Sequence, residues 1–205
     1  MTGSDPYLLA TRSAGKLREL EPLFAQAGIH VITLERAGIG ESADEAAIEA
    51  FSTFEENALA KARYFHDRSG LATFADDSGL EVLALGGAPG VRSKRWSGRE
   101  DLTARDLDEA NNAELLRALR SVGDRRARYV CVAALVSPDG ELVRRGEVSG
   151  EILDEPRGSG GFGYDPLFLS TELGVTFGEA SLADKERVSH RGRAFRELLR
   201  AMRAG

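Results

Sequence analysis

Short apolar runs and amphipathic stretches take turns along this chain, and that alternation of strand and helix signals constrains its fold more than any single residue. "YLLAT" (7–11) predicts a short strand. From Ala14 to Ala27, Leu17, Leu20, Leu23, Phe24 and Ala27 recur at helical spacing, and Gly28 follows as a stop signal. "IHVITL" (29–34) predicts a second strand. After a polar loop, Thr53 and Glu56 stand at capping-box spacing ahead of a helix that ends near Gly70. "LATFA" (71–75) predicts a buried strand that runs straight into "DDSG". A further helix is expected over 101–120, with Leu107, Leu115, Leu116 and Leu119 among its apolar positions. "RYVCVAALV" and "ELVRRGEVSGEIL" flank "SPDG", a hairpin-turn signal with proline in second place. The last stretch predicts a helix with the stripe Phe195, Leu198, Leu199 and Met202. There is no repeat, no low-complexity tract and no separating linker, so residues 1–205 read as a single domain.

With 205 residues, 42% of them hydrophobic, the chain can build a substantial core without a disulfide or a metal. Cys131 is the sole cysteine and lies in an apolar run. No charged-then-apolar segment opens the sequence, and the expected location is cytoplasmic. No apolar stretch approaches the roughly 20 residues that span a bilayer, which argues against a membrane partner. A net charge of -6 argues against nucleic acid. A small anionic ligand remains compatible with the composition if cations gather in one place.

"GSGGFGYDP" (158–166) contains Gly158, Gly160 and Gly163 at the G-x-G-x-x-G spacing of dinucleotide-binding loops. Such a fingerprint needs a strand before it and a helix opening directly after its last glycine. Here Tyr164-Asp165-Pro166 leads into "LFL", and Pro166 pushes Asp165 toward an extended conformation. The glycines therefore feed a strand or loop, and the dinucleotide reading fails on context. "ATRSAGKL" likewise has Gly15-Lys16 but lacks the first glycine and the final Ser/Thr of a P-loop.

What remains is a set of charges at the ends of elements. Asp76 and Asp77 leave an apolar strand, where successive side chains point to opposite faces. One carboxylate can then face a site while the other braces the structure, although adjacent acids before Ser-Gly are, taken alone, more often a turn. Lys16 sits at the start of a helix whose free amides form an anion site. Ser189, His190 and Arg191 read, taken alone, as a helix cap with two surface residues. Hard oxygen ligands combined with several cations suit a magnesium-dependent phosphoryl or nucleotidyl enzyme.

"LLATRSAGKLREL", "TFEENALAKA", "ADDSGLEVLALGGAPGVRSKRWSG", "GGFGYDPLF" and "KERVSHRGRAF", in this order and at this spacing, resemble the inosine triphosphate pyrophosphatases, which act on noncanonical purine nucleoside triphosphates. The resemblance runs essentially the whole length. It implies an α/β fold with a mixed, elongated central sheet flanked by helices, two lobes around a nucleotide-binding cleft, and a homodimer. It also implies Mg2+-dependent hydrolysis of ITP, dITP or XTP to the monophosphate and pyrophosphate.

By the same resemblance, Asp77 matches the general base and a magnesium ligand, and Glu49 the second carboxylate on the metal. Thr11, Ser13 and Lys16 fall on the phosphate-contacting loop, with Lys61 and Arg95 as candidate further cations. Ser78 matches a substrate contact. Phe162, Gly163, Tyr164 and Asp165 match the loop around the nucleoside, with Phe162 placed to stack on the base. Lys185, His190 and Arg191 match substrate-binding residues, the last two near the purine 6-position. Donors aimed at O6 would favour inosine and xanthosine over adenine, whose amino group would set donor against donor.

Two stretches depart from the family pattern. T-x-N-x-x-K becomes Thr11-Arg12-Ser13-Ala14-Gly15-Lys16, and E-T-G becomes Glu49-Ala50-Phe51, with Glu45 and Glu41 as nearby fallback carboxylates. The competing readings are a Maf-type pyrophosphatase of modified pyrimidine triphosphates and a nucleotide-sensing module without turnover. Activity on a panel of triphosphates separates all three.

Overall fold

A computed structural model describes residues 6–99, 101–102 and 104–204. It shows a six-stranded mixed sheet with flanking helices, in the strand order β2-β1-β3-β4-β5-β6. The strands are β1 (Tyr7–Leu9), β2 (Val31–Thr33), β3 (Thr73–Val82), β4 (Arg126–Ser137), β5 (Gly140–Ile152) and β6 (Phe168–Ser170). The helices are α1 (Ala14–Gln26), α2 (Phe54–Ser69), α3 (Ala104–Ala118), α4 (Leu182–Val188) and α5 (His190–Ala204). Among the described residues no helix is long and apolar enough to cross a membrane.

The chain divides into two compact units. The first comprises Met1–Asp77, Cys131–Gly146 and Arg191–Gly205. In it β1 pairs in parallel with β2, Leu8 opposite Ile32, and with β3, Leu9 opposite Phe74. Parallel neighbours require crossovers, and α1 and α2 supply them. The core here joins Leu20, Leu23 and Phe24 of α1, Phe74 of β3, Cys131 of β4, and Phe195 and Leu198 of α5. Phe24 packs edge-on against Phe195, with ring centroids 5.6 Å apart.

Helix boundaries follow the expected chemistry. Ser13 caps α1 by accepting from the Lys16 amide. Serine and asparagine cap comparably well, so serine at 13 keeps this role. Thr53 caps α2, and Gly70 closes it in the left-handed conformation, where glycine carries no Cβ penalty. The helix expected over 101–120 is α3; residue 103 lies outside the described residues.

The second unit comprises Ser78–Val130 and Glu147–His190. β5 and β6 pair antiparallel, with Glu151 opposite Leu169. Its core gathers Leu80 and Val82 of β3, Leu115 of α3 and Leu119 just after it, Tyr129 of β4, and Tyr164, Phe168 and Phe177. Between β4 and β5, Pro138 and Asp139 form the expected turn.

One sequence expectation is corrected. "DDSG" is no turn: β3 continues through Asp76, Asp77, Ser78 and Gly79 to Val82. Acids inside a buried strand are costly unless partnered, and here both are partnered, as the site shows.

Candidate active site

In the first unit, β3 turns its two aspartates to opposite faces and into unlike surroundings. Asp76 is buried, and its Oδ2 takes the Lys16 ammonium at 2.9 Å and the Arg191 Nε at 3.2 Å. The Cys131 thiol lies 3.7 Å from the same oxygen. Burial would raise the Asp76 carboxyl, but Lys16, Arg191 and Lys61 outweigh it and hold the group well below the usual carboxylate range. Arg191 is equally buried and reaches Glu19 of α1 with its other arm. Glu19, Arg191 and Asp76 thus form a buried triad.

Asp77 is different. Its Oδ2 accepts from the Asn57 side-chain amide at 2.9 Å. Burial pushes its carboxyl above the ordinary value, and the Glu49 charge adds to that; Lys16, Lys61 and Asn57 offset it only in part. One carboxylate firmly ionised beside one with raised proton affinity is the division of labour expected of a brace and a general base.

Helix α2 connects this pair to the loop before it. Asn57 and Lys61 lie one turn apart on one face. Asn57 accepts from the Phe51 amide at 2.9 Å and donates to the Phe51 carbonyl at 3.3 Å, while Lys61 pairs with Glu49. Side-chain clamping thus fixes the Glu49-Ala50-Phe51 segment without the glycine of the family pattern. The Phe51 ring is largely exposed.

The fallback carboxylate Glu45 is ion-paired. It receives two hydrogen bonds from the Arg12 guanidinium, at 2.6 and 2.7 Å, and a third from the Ser42 amide. Arg12 also donates to the carbonyls of Ile39 and Gly40. The arginine that departs from the family pattern is therefore a brace for the 39–45 loop, with Glu45 as its carboxylate partner. Thr11 accepts from the Ser13 amide at 3.1 Å, and Ser13 caps α1; each hydroxyl keeps its own proton to donate. Lys61, read as a phosphate cation, is paired with Glu49.

The second unit holds a separate group of predicted residues. Lys185 of α4 is buried and pairs with Asp165 Oδ2 at 2.5 Å. Its ammonium lies over the rings of Phe162 and Phe177, 5.0 and 5.4 Å from their centroids, a favourable arrangement for a desolvated cation. Asp165 also accepts from the Phe162 amide at 2.8 Å and from the Tyr129 hydroxyl at 3.4 Å. His190 is buried and stacks on Tyr129, with centroids 4.6 Å apart and planes 8° from parallel. The Tyr164 hydroxyl donates to the Ser93 carbonyl at 2.8 Å. Ser78, next after Asp77 in β3, is half-buried, and Arg95 is exposed on a short 3-10 turn, Gly90–Arg95.

His190 and Arg191, both expected near the purine 6-position, have different partners. His190 belongs to the aromatic group, whereas the Arg191 guanidinium is taken up by Glu19 and Asp76.

The glycines of "GSGGFGYDP" have local causes. A Cβ on Gly158 would meet the Gly178 carbonyl at 2.2 Å, and one on Gly161, at φ +74°, would meet Asp165 Oδ2 at 2.1 Å. These glycines let the chain approach itself. Gly161→Ala is expected to destabilise the protein by about 2 kcal/mol or more, from left-handed strain plus the clash. Urea unfolding checks this; an unchanged midpoint would show that the loop adapts freely.

Several participants escaped sequence reading. Glu19 lies three residues after Lys16, and Asn57 four before Lys61; helical spacing from a known cation was the usable signal for both.

A sequence profile of the Ham1 family matches residues 7–201. The chain belongs to the Ham1 family. This Ham1 chain is 49% identical over 199 residues to a dITP/XTP pyrophosphatase of Frankia alni, covering 96% of each chain. A dITP/XTP pyrophosphatase of Mycolicibacterium paratuberculosis is 50% identical over 201 residues, covering 96% of this chain and 95% of that protein. Among solved structures, a HAM1 protein from Coxiella burnetii superposes with a TM-score of 0.83 at 35% identity, covering 98% and 100% of the two chains.

Proposed function

We propose that this Ham1 chain hydrolyses the triphosphates of noncanonical purines, namely ITP, dITP and XTP, to the nucleoside monophosphate and pyrophosphate. The observation that carries the reading is the unequal pair of neighbouring carboxylates, Asp76 ion-paired to Lys16 and Arg191 and Asp77 accepting from Asn57. The relatives at 49 and 50% identity, both dITP/XTP pyrophosphatases, support the same chemistry. The family profile spans both units, which supports treating the chain as one functional domain. A cytoplasmic location and a homodimer belong to this reading as well, with no role for nucleic acid or membrane.

A divalent cation fits the residues present. Among the described residues no three or more His, Cys, Asp or Glu side chains converge as a ready-made metal cage. Magnesium, however, is commonly held by one or two carboxylates plus substrate phosphates. Asp77 and Glu49 are the two carboxylates that would hold it, Glu49 now ion-paired to Lys61 and Asp77 bonded to the Asn57 amide. Held there, Mg2+ would supply charge neutralisation at the triphosphate.

The chain's own residues do the rest. Lys16 and the free amides at the start of α1, with the Thr11 and Ser13 hydroxyls, bind phosphate oxygens. Asp77 takes the proton of the water that attacks the α-phosphorus, and Asn57 fixes the rotamer in which it does so. Asp76, neutralised by Lys16 and Arg191, keeps the Lys16 ammonium in place. In the second unit Phe162 stacks on the base, Lys185 and His190 present donors to it, and Ser78, Gly163, Tyr164 and Asp165 complete the nucleoside contacts. Each donor left facing the 6-amino group of adenine would lose about 1–3 kcal/mol.

A panel of dITP, XTP, ATP, GTP and dUTP tests the substrate class. Efficient release of pyrophosphate from dITP and XTP, with ATP slower by tenfold or more (about 1.4 kcal/mol), is expected. Preference for a pyrimidine triphosphate would shift the assignment to the Maf-type reading, and binding without product to a sensing module.

A further inference from the structure

Helix α3 carries no residue given a role so far, yet its inward face is not wholly apolar. Leu115, and Leu119 just past the helix end, enter the core of the second unit, but Asp108, Asn111 and Asn112 turn toward two loops. Asp108 Oδ2 accepts from the Gly163 amide at 2.7 Å, and the Asn112 side-chain amide donates to the Gly163 carbonyl at 3.0 Å. Asp108 and Asn112 are one helical turn apart, so the helix grips both ends of one residue. Asn111, buried, accepts from the Ser97 amide at 2.8 Å and donates to the Lys94 carbonyl at 3.1 Å.

Gly163 sits at φ +62°, and a Cβ there would meet nothing within 4 Å. Glycine is therefore needed at 163 for its left-handed backbone and not for close packing. That backbone is what the two α3 side chains hold. On one side of it, the Phe162 amide is bound to Asp165, which pairs with Lys185. On the other, the Tyr164 hydroxyl is bound to Ser93. Both backbone hydrogen-bonding groups of Gly163 are already engaged by α3, so this residue acts as a fixed pivot between Phe162 and Tyr164. Stability alone would favour apolar residues on an inward helix face; polar ones aimed at a single peptide unit specify geometry.

We propose that Asp108 and Asn112 are positioning residues for nucleoside recognition, holding the turn at Gly163 so that the Phe162 ring and the Asp165–Lys185 pair are set before substrate arrives. This rests on the assignment of 162–165 to the nucleoside. Loop preorganisation acts on affinity for the part of the ligand it meets. Loss of α3's hold should therefore weaken nucleoside binding and leave pyrophosphate binding alone.

The test compares Asp108→Ala, Asp108→Asn and Asn112→Ala with wild type, using Glu109→Gln, exposed on the same helix, as a control. For Asp108→Ala, the KM for dITP and the inhibition constant of dIMP are expected to rise roughly ten- to hundredfold, the loss of one hydrogen bond to a carboxylate. The inhibition constant of pyrophosphate and kcat stay near wild type. Asp108→Asn, which keeps a carbonyl acceptor, recovers most of the loss, and Asn112→Ala gives a smaller shift of the same kind. Should Asp108→Ala fail to fold, Asn112→Ala carries the comparison. An unchanged KM in folded variants, or equal weakening of dIMP and pyrophosphate, overturns the positioning role while the substrate assignment stands. Absence of turnover by wild type on every purine triphosphate overturns both.

Discussion

Asp77→Asn is expected to lose turnover by roughly two to four orders of magnitude, the contribution of a positioned base, while remaining folded. The amide is nearly isosteric with the carboxyl, and its oxygen can still accept the Asn57 hydrogen bond seen at 2.9 Å. Stability should not fall and is expected to rise at neutral pH. In the folded chain the Asp77 carboxyl lies above its ordinary value, mainly through burial. A group whose folded pKa is raised stabilises the fold below its unfolded value, about 3.9 for aspartate, and loses that contribution as pH climbs through the folded value. The variant does not titrate there. Urea unfolding at pH 4 and pH 7.5 should accordingly show wild type losing ground to Asp77→Asn as pH rises. Near-wild-type turnover in the variant would remove Asp77 as the base.

Arg191→Met is expected to cost about 3–5 kcal/mol, because it leaves two buried carboxylates facing the gap of one guanidinium. Glu19 and Asp76 both lean on Arg191, and without it Asp76 keeps its ion pair with Lys16 and the charge of Lys61. The pH dependence separates charge from packing. With its partners present, the Asp76 carboxyl is held well below the ordinary range. Such a group stabilises the fold above its unfolded value and surrenders that stability as pH falls. The gap between wild type and Arg191→Met should therefore be full at neutral pH and shrink below about pH 4. A gap that ignored pH would mean Arg191 contributes by packing only. Activity should fall in parallel, since Asp76 aligns the Lys16 ammonium.

Element boundaries governed by local chemistry were readable in advance: Thr53 and Gly70 bracket α2, and Pro138-Asp139 turns β4 into β5. "DDSG" was not, because its turn signal is local while its partners come from α1, α2 and the start of α5. A strand can carry two acids when remote cations and an amide neutralise them; the sequence shows the acids and not their neighbours. The same gap hid the different partners of the adjacent His190 and Arg191, Tyr129 for the first and Glu19 with Asp76 for the second. In the 158–163 run, glycine spacing was visible, but the Gly178 backbone and the Asp165 carboxylate that demand it were not. The residues proposed to react or bind substrate were named through the family resemblance. Those that act by holding others, Glu19, Asn57, Asp108 and Asn112, needed the geometry.

Hydrolysis of dITP in isotopically labelled water, with Mg2+ present and both products analysed, tests the proposed chemistry most directly. Equimolar dIMP and pyrophosphate, with the label in dIMP, is the expected result of water activated by Asp77 attacking the α-phosphorus. Label in pyrophosphate, or dIDP with orthophosphate, would contradict it.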